Sequence, residues 1–142
     1  MKAKTLLFLC TGNSCRSQMA EGFARRLAPK EAQIYSAGSE PKALHPLAVR
    51  VMKEVGIDIS AQRSKSLAEV TAQKIDLVVT LCGEAAESCS TFPAQTGLLH
   101  WPLADPALVQ GDEATILKTF REVRDEIHAR VEALFPPHRS SQ

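Results

Sequence analysis

A cysteine, an arginine and a hydroxyl stand close together near the start of this chain, in Cys10-Thr11-Gly12-Asn13-Ser14-Cys15-Arg16-Ser17. That order suits a pocket for a tetrahedral oxyanion. Small residues let successive backbone N–H groups turn inward, and a helix starting behind them adds partial positive charge. Thr11, Gly12, Asn13, Ser14, Cys15 and Arg16 are therefore the candidate oxyanion-binding residues. Arg16 brings a planar fork of donors that matches two anion oxygens. Cys10, at the loop mouth, lies in the same positive field, which lowers a thiol pKa and makes the thiolate a nucleophile. The implied chemistry is a covalent bond to an oxyanion. A lone cysteine is more often an inert packing residue; the loop, the arginine and the Ser17 hydroxyl arriving together set this one apart.

Cys82 and Cys89 form a second pair, joined by Gly83-Glu84-Ala85-Ala86-Glu87-Ser88. If that stretch is helical, a rise of about 1.5 Å per residue puts the two backbones roughly 10 Å apart. A disulfide tolerates Cα atoms only up to about 7 Å apart. Bonding the pair would require the helix to unwind, making oxidation a local conformational switch. Two independent buried thiols are the plain alternative. The Cys-x4-Cys and Cys-x6-Cys spacings lack the short knuckle of a zinc site, so no metal is expected.

The elements that must position these groups alternate. Residues 4–9 are an apolar run of strand length, as for a strand buried on both faces. Residues 16–27 carry Met19, Ala20, Phe23, Ala24 and Leu27 at helical spacing, ended by Pro29. Residues 33–37 are a short strand stopped by Gly38. Residues 45–55 are a helix, with Pro46 in its first turn and Gly56 at its C-cap. Residues 66–73 are a weaker helix. Residues 75–81 and 98–101 are two further strong strands, the first closed by Cys82. Residues 113–134 are a long amphipathic helix ended by Pro136-Pro137, and the tail is expected to fray. This alternation gives an α/β domain with a four-stranded parallel sheet flanked by helices in three layers, spanning residues 1–142 as one unit. Cys10, Cys82 and Asp105 each follow a predicted strand, so they are expected to converge at one edge of the sheet, where ligands of such sheets bind.

Composition narrows the class. A chain of 142 residues with 44% hydrophobic and 23% charged residues is an ordinary globular domain. A net charge of +1 gives no electrostatic support for a nucleic-acid or membrane partner. Residues 1–10 are too short for a signal peptide, and no run approaches the ~20 apolar residues of a membrane span. A cytoplasmic protein with reduced thiols is expected, so its four cysteines are candidates for chemistry rather than staples.

Taken together, the Cys10–Ser17 segment, the Thr80-Leu81-Cys82-Gly83 turn with Cys89, and Ala104-Asp105-Pro106-Ala107 resemble the thioredoxin-coupled arsenate reductases. These share the fold of low-molecular-weight protein tyrosine phosphatases. The likeness runs from about Lys4 to the C-terminal helix, and Gly38 after Tyr35-Ser36-Ala37 fits it. The cysteine pair separates the reductases from the phosphatases. The resemblance implies that Cys10 attacks the arsenic of arsenate, with phosphate and sulfate as competing anions, while Ser17 hydrogen-bonds the thiolate. It makes Asp105 the general acid for the leaving hydroxyl. Cys82 then attacks Cys10, releasing arsenite, and Cys89 attacks Cys82. Thioredoxin reduces the resulting disulfide, and no cofactor stays bound to what is expected to be a monomer. Family members also bind potassium through side chains matching Asn13, Glu21, Ser36 and an acid. The position matching that acid holds Lys65 here, whose ammonium is expected to take the cation's place beside Glu21.

A phosphatase acting on phosphotyrosine or a small phosphomonoester is the main alternative, since phosphate suits the same loop. The segment after Asp105-Pro106 continues Ala107-Leu108 without aromatic residues to wall a tyrosine ring, and the chain has one Tyr. That favours a small inorganic substrate. A non-catalytic redox or arsenic sensor would have no use for an acid at Asp105. Cys15 is read as a small packing residue, Trp101 as core or pocket wall, and His45, His100 and His128 as structural or surface residues.

Overall fold

The computed structural model describes residues 4–70, 74–81 and 96–136. Four parallel strands, β1 (Thr5–Cys10), β2 (Gln33–Gly38), β3 (Leu77–Thr80) and β4 (Gly97–His100), lie in the order β2-β1-β3-β4. Among the described residues three α-helices accompany them: α1 (Arg16–Leu27), α2 (Pro46–Glu54) and α3 (Glu113–Leu134). The chain leaves β1 toward β2 on one side and returns to β3 on the other. The end of β1 is therefore where the strand order reverses, and Cys10 occupies it.

β1 is covered on both faces. Leu6, Leu7, Phe8 and Leu9 are all fully buried, as successive side chains on opposite faces can be only if layers lie above and below the sheet. α3 presents Leu117, Phe120, Val123, Ile127 and Val131 to the core at steps of three and four residues. Asp112 caps it by accepting from Thr115 N at 2.9 Å.

The strand expected over 98–101 is present as β4; among the described residues it pairs only with β3, at the sheet's edge, and Leu98 and Leu99 are 56% and 39% exposed. One expectation needs correction. Of the weak helix expected over 66–73, the described residues show a single 3₁₀ turn, Leu67–Glu69, closed by a capping box between Ser66 and Glu69. Residues 71–73 lie outside the described residues. So do Cys82, Cys89, the helix expected between them, and the tail from 137.

α2 starts at Pro46, and His45 is its N-cap, its Nδ1 accepting from Leu47 N at 3.1 Å. Its ring rests 4.9 Å from Phe120. Burial lowers the His45 pKa below 6.5, with the Asp105 charge acting the other way. The unfolded chain therefore takes up this proton first as pH falls. The cap's contribution is complete above about pH 6.5 and is lost below it. Melting temperature should fall more steeply for the wild type than for His45→Asn between about pH 7 and pH 5, since asparagine caps without titrating. Parallel slopes would exclude His45 from acid sensitivity.

Candidate active site

The loop between β1 and α1 is shaped by what holds its carbonyl groups. Ser39 N donates to Cys10 O at 3.3 Å, Glu40 N to Thr11 O at 2.8 Å, Lys42 N to Gly12 O at 2.8 Å and His45 N to Ser14 O at 3.0 Å. Gln18 Nε2 takes Asn13 O at 3.0 Å. Five successive carbonyls are thus bonded to groups outside the loop. The amide of a trans peptide points opposite to its carbonyl, so the N–H groups face the other way. Asn13 N shows the result by donating to Cys10 Sγ at 3.3 Å. Gly38 permits this close wrap: a Cβ there would sit 2.5 Å from Thr11 O. α1 begins at Arg16 with no side-chain cap and no acid in its first turn, so its N-terminal N–H groups remain available to an anion.

Asn13 is the odd residue of the loop, with a left-handed φ of 47° and full burial. Asparagine tolerates that conformation better than most residues. Its amide is held at both ends. Oδ1 accepts from Lys65 N at 2.8 Å and Gln18 Nε2 at 3.1 Å. Nδ2 donates to Ser17 Oγ at 2.7 Å and Ser36 Oγ at 3.0 Å. Because Ser17 Oγ accepts from Asn13, its own proton is free for Cys10 Sγ, 2.9 Å away. Two donors, a hydroxyl and a backbone amide, therefore point at the Cys10 sulfur.

Arg16 is buried; its Nη1 donates to Leu103 O at 3.0 Å and its Nη2 lies 3.3 Å from Asp105 Oδ2. Among the described residues its Nε has no hydrogen-bond partner. A buried donor left unpaired costs about 1–3 kcal/mol, which an anion oxygen would offset. Asp105 caps the turn Pro106–Leu108: Oδ1 accepts from Ala107 N at 3.0 Å, leaving Oδ2 toward Arg16.

The structure thus brings together Cys10, Ser17, Arg16 and Asp105, with the backbone of 11–15 between them. Cys82 and Cys89 lie outside the described residues. Sequence reasoning overlooked Gln18, which is fully buried and bridges Asn13 to the Arg63 carbonyl. Also overlooked was the strap from Ser39 to His45 that ties the loop carbonyls, a backbone role that leaves no mark in side-chain types. His100 Nδ1 contacts Thr80 Oγ1 at 2.6 Å and His128 stacks on Phe23 at 4.4 Å, both packing roles. Trp101 is buried beside Phe8.

Beside the loop, Lys65 Nζ donates to Arg63 O at 2.7 Å and lies 3.9 Å from Glu21 Oε1. Burial pulls the Lys65 ammonium below 10.5 and Glu21 pulls it back up. A potassium ion does not fit here, since an ammonium already stands among these oxygens and would repel it. No step is derived through one.

The geometry can hold a nucleophilic thiolate, bind a tetrahedral anion on backbone amides and a guanidinium, and deliver a proton from a carboxyl. The family model for the low molecular weight phosphotyrosine protein phosphatases matches residues 5–141, and the chain belongs to that family. It is 50% identical over 131 residues to an arsenate reductase of Bacillus subtilis, covering 92% of this chain and 94% of the relative. Among solved structures, an arsenate reductase in the phosphate binding state is 39% identical, with a TM-score of 0.75 over 93% of this chain and 96% of that one. A thioredoxin-dependent arsenate reductase of Corynebacterium glutamicum is 28% identical, with a TM-score of 0.72 over 93% of this chain and 60% of that one.

Cys15 sits inside the loop, yet burial pushes its thiol up to about 12, against a weak contact from Ser14. At neutral pH it is a protonated packing residue. Brief iodoacetamide treatment of the native protein at about pH 7 should leave Cys15 unmodified by peptide mass spectrometry. Labelling of Cys15 ahead of Cys10 would reverse their roles.

Proposed function

We propose that the protein reduces arsenate to arsenite with electrons from thioredoxin. The observation that carries this reading is Cys10 Sγ held by Ser17 Oγ and Asn13 N beneath a buried Arg16 whose Nε still has a donor to give. The half-identical arsenate reductase relatives support the substrate, and the thioredoxin-dependent neighbour supports the reductant.

Arsenate binds on the amides of residues 11–15 and on Arg16. The Cys10 thiolate attacks arsenic, forming an S–As bond, while Asp105 protonates the departing hydroxide to water. Cys82 as thiolate then attacks the Cys10 sulfur. The S–As bond breaks with its electron pair left on arsenic, so As(V) becomes As(III), released as arsenite. Cys89 attacks Cys82, returning Cys10 as thiolate, and thioredoxin reduces the Cys82–Cys89 disulfide. The roles of Cys82 and Cys89 rest on their place in the sequence.

Phosphate fits the same loop, so slow phosphomonoester hydrolysis is the natural side activity of a member of this phosphatase family. The protein acts as a cytoplasmic monomer on a free inorganic anion, with no nucleic acid or membrane partner; no described helix is long and apolar enough to cross a bilayer.

The relay is tested by Cys89→Ser, which leaves no thiol to release Cys10. One arsenite per enzyme should form, and thioredoxin should not restart the reaction. Repeated thioredoxin-driven turnover by this variant would sink the three-cysteine relay.

A further inference from the structure

The Glu21 carboxylate is buried, its side chain 5% exposed, inside a network that ends at Cys10. A buried carboxylate needs a partner charge, since an unpaired one is strongly disfavoured. Two cations face it. Arg25 Nε meets Oε2 at 2.8 Å, but that side chain is 55% exposed, and an exposed cation is screened by solvent. Lys65, 14% exposed, faces Oε1 from within. Arg63 and Glu69, on the same segment as Lys65, pair with each other at the surface.

Oε1 also accepts from Ser36 Oγ. Because the ionised carboxylate takes the Ser36 proton, Ser36 can only accept from Asn13 Nδ2, and that orients the Asn13 amide. Lys65 acts on the same amide from the opposite end, its backbone N donating to Oδ1. One residue therefore fixes the acceptor end of Asn13 directly and the donor end through Glu21 and Ser36. Asn13 in turn aims the Ser17 hydroxyl at Cys10.

We infer that Lys65 is a positioning residue that serves as a built-in monovalent cation: its ammonium, held between Glu21 Oε1 and Arg63 O, keeps the anion-binding loop in its working form through the Glu21–Ser36–Asn13 chain of hydrogen bonds. The inference deepens the oxyanion-site reading and rests on the loop, not on the identity of the substrate. Removing the side chain leaves Glu21 Oε1 and Arg63 O with a gap where the ammonium stood. A free ammonium ion, the lost group itself, or another hard monovalent cation would fill it.

The test uses the whole protein and inorganic phosphate as the probe, so it does not depend on arsenate turnover. Phosphate affinity by calorimetry and melting temperature are compared for wild type and Lys65→Ala in ammonium, potassium and choline chlorides at equal ionic strength, choline being too bulky to enter. The wild type should respond alike to all three. Lys65→Ala in choline should bind phosphate about tenfold more weakly, the size of a lost charge-assisted hydrogen bond. Ammonium or potassium should restore it. If Lys65→Ala does not fold in choline, refolding yield in ammonium against choline supplies the same comparison. Three results would each overturn the inference: a cation-specific gain in wild type, unweakened binding by Lys65→Ala in choline, or a weakened variant that neither small cation restores. An adventitious effect of salt moves all three chlorides together and also counts against it.

Discussion

Outward ties on five consecutive carbonyls, from Cys10 to Ser14, are what everything else at this site depends on. A peptide loop left to itself would point some carbonyls at an incoming anion, and each would repel it. Here the strap from Ser39 to His45, together with Gln18, draws them all to the far side. The strap can come so near only because Gly38 has no side chain where β2 ends against the loop. The amides are then left for the anion by elimination. Burial of the whole β1 end removes water that would compete for them.

The same constraint explains why the polar residues behind the loop are buried without penalty. Asn13, Ser17, Gln18, Ser36 and Glu21 are all nearly inaccessible. Each satisfies another: Gln62 Nε2 donates to Gln18 Oε1 at 2.8 Å, Gln18 to Asn13, Asn13 to both serines, and Ser36 to Glu21. Satisfied networks of this kind stiffen a site, since rotating any one member strands its neighbours. That rigidity lets Asn13 keep a left-handed backbone, which would otherwise be a source of strain. On the open side, Arg16 bridges Leu103 O and Asp105, so the guanidinium that grips the anion also locates the carboxyl that must donate to it.

Much of this was legible in the residues. The β1 apolar run, the 16–27 and 113–134 periodicities and the Cys10–Ser17 segment each carry their signal locally, and the structure has the corresponding elements within a residue or so. Lys65 beside Glu21 was also anticipated. What failed was non-local. Nothing in Leu98-Leu99-His100 reveals that this strand lies at the sheet's edge, because edge position depends on the order of strands. The stretch from 66 has a helix-like composition, but its first residue, Ser66, is drawn off to pair with Gly38. The Ser39–His45 strap acts through backbone N–H groups, which every residue but proline possesses, so no side-chain pattern could announce it.

The account's central claim is that Cys10 begins a two-electron transfer to arsenic and not merely a phosphoryl transfer. Its most direct test follows NADPH consumption by the purified protein with thioredoxin and thioredoxin reductase as arsenate is added. The account predicts sustained, arsenate-dependent oxidation of NADPH with one arsenite formed for each NADPH consumed. Hydrolysis of a phosphotyrosine substrate at a rate well above background, with no arsenate-dependent consumption of NADPH, would contradict it.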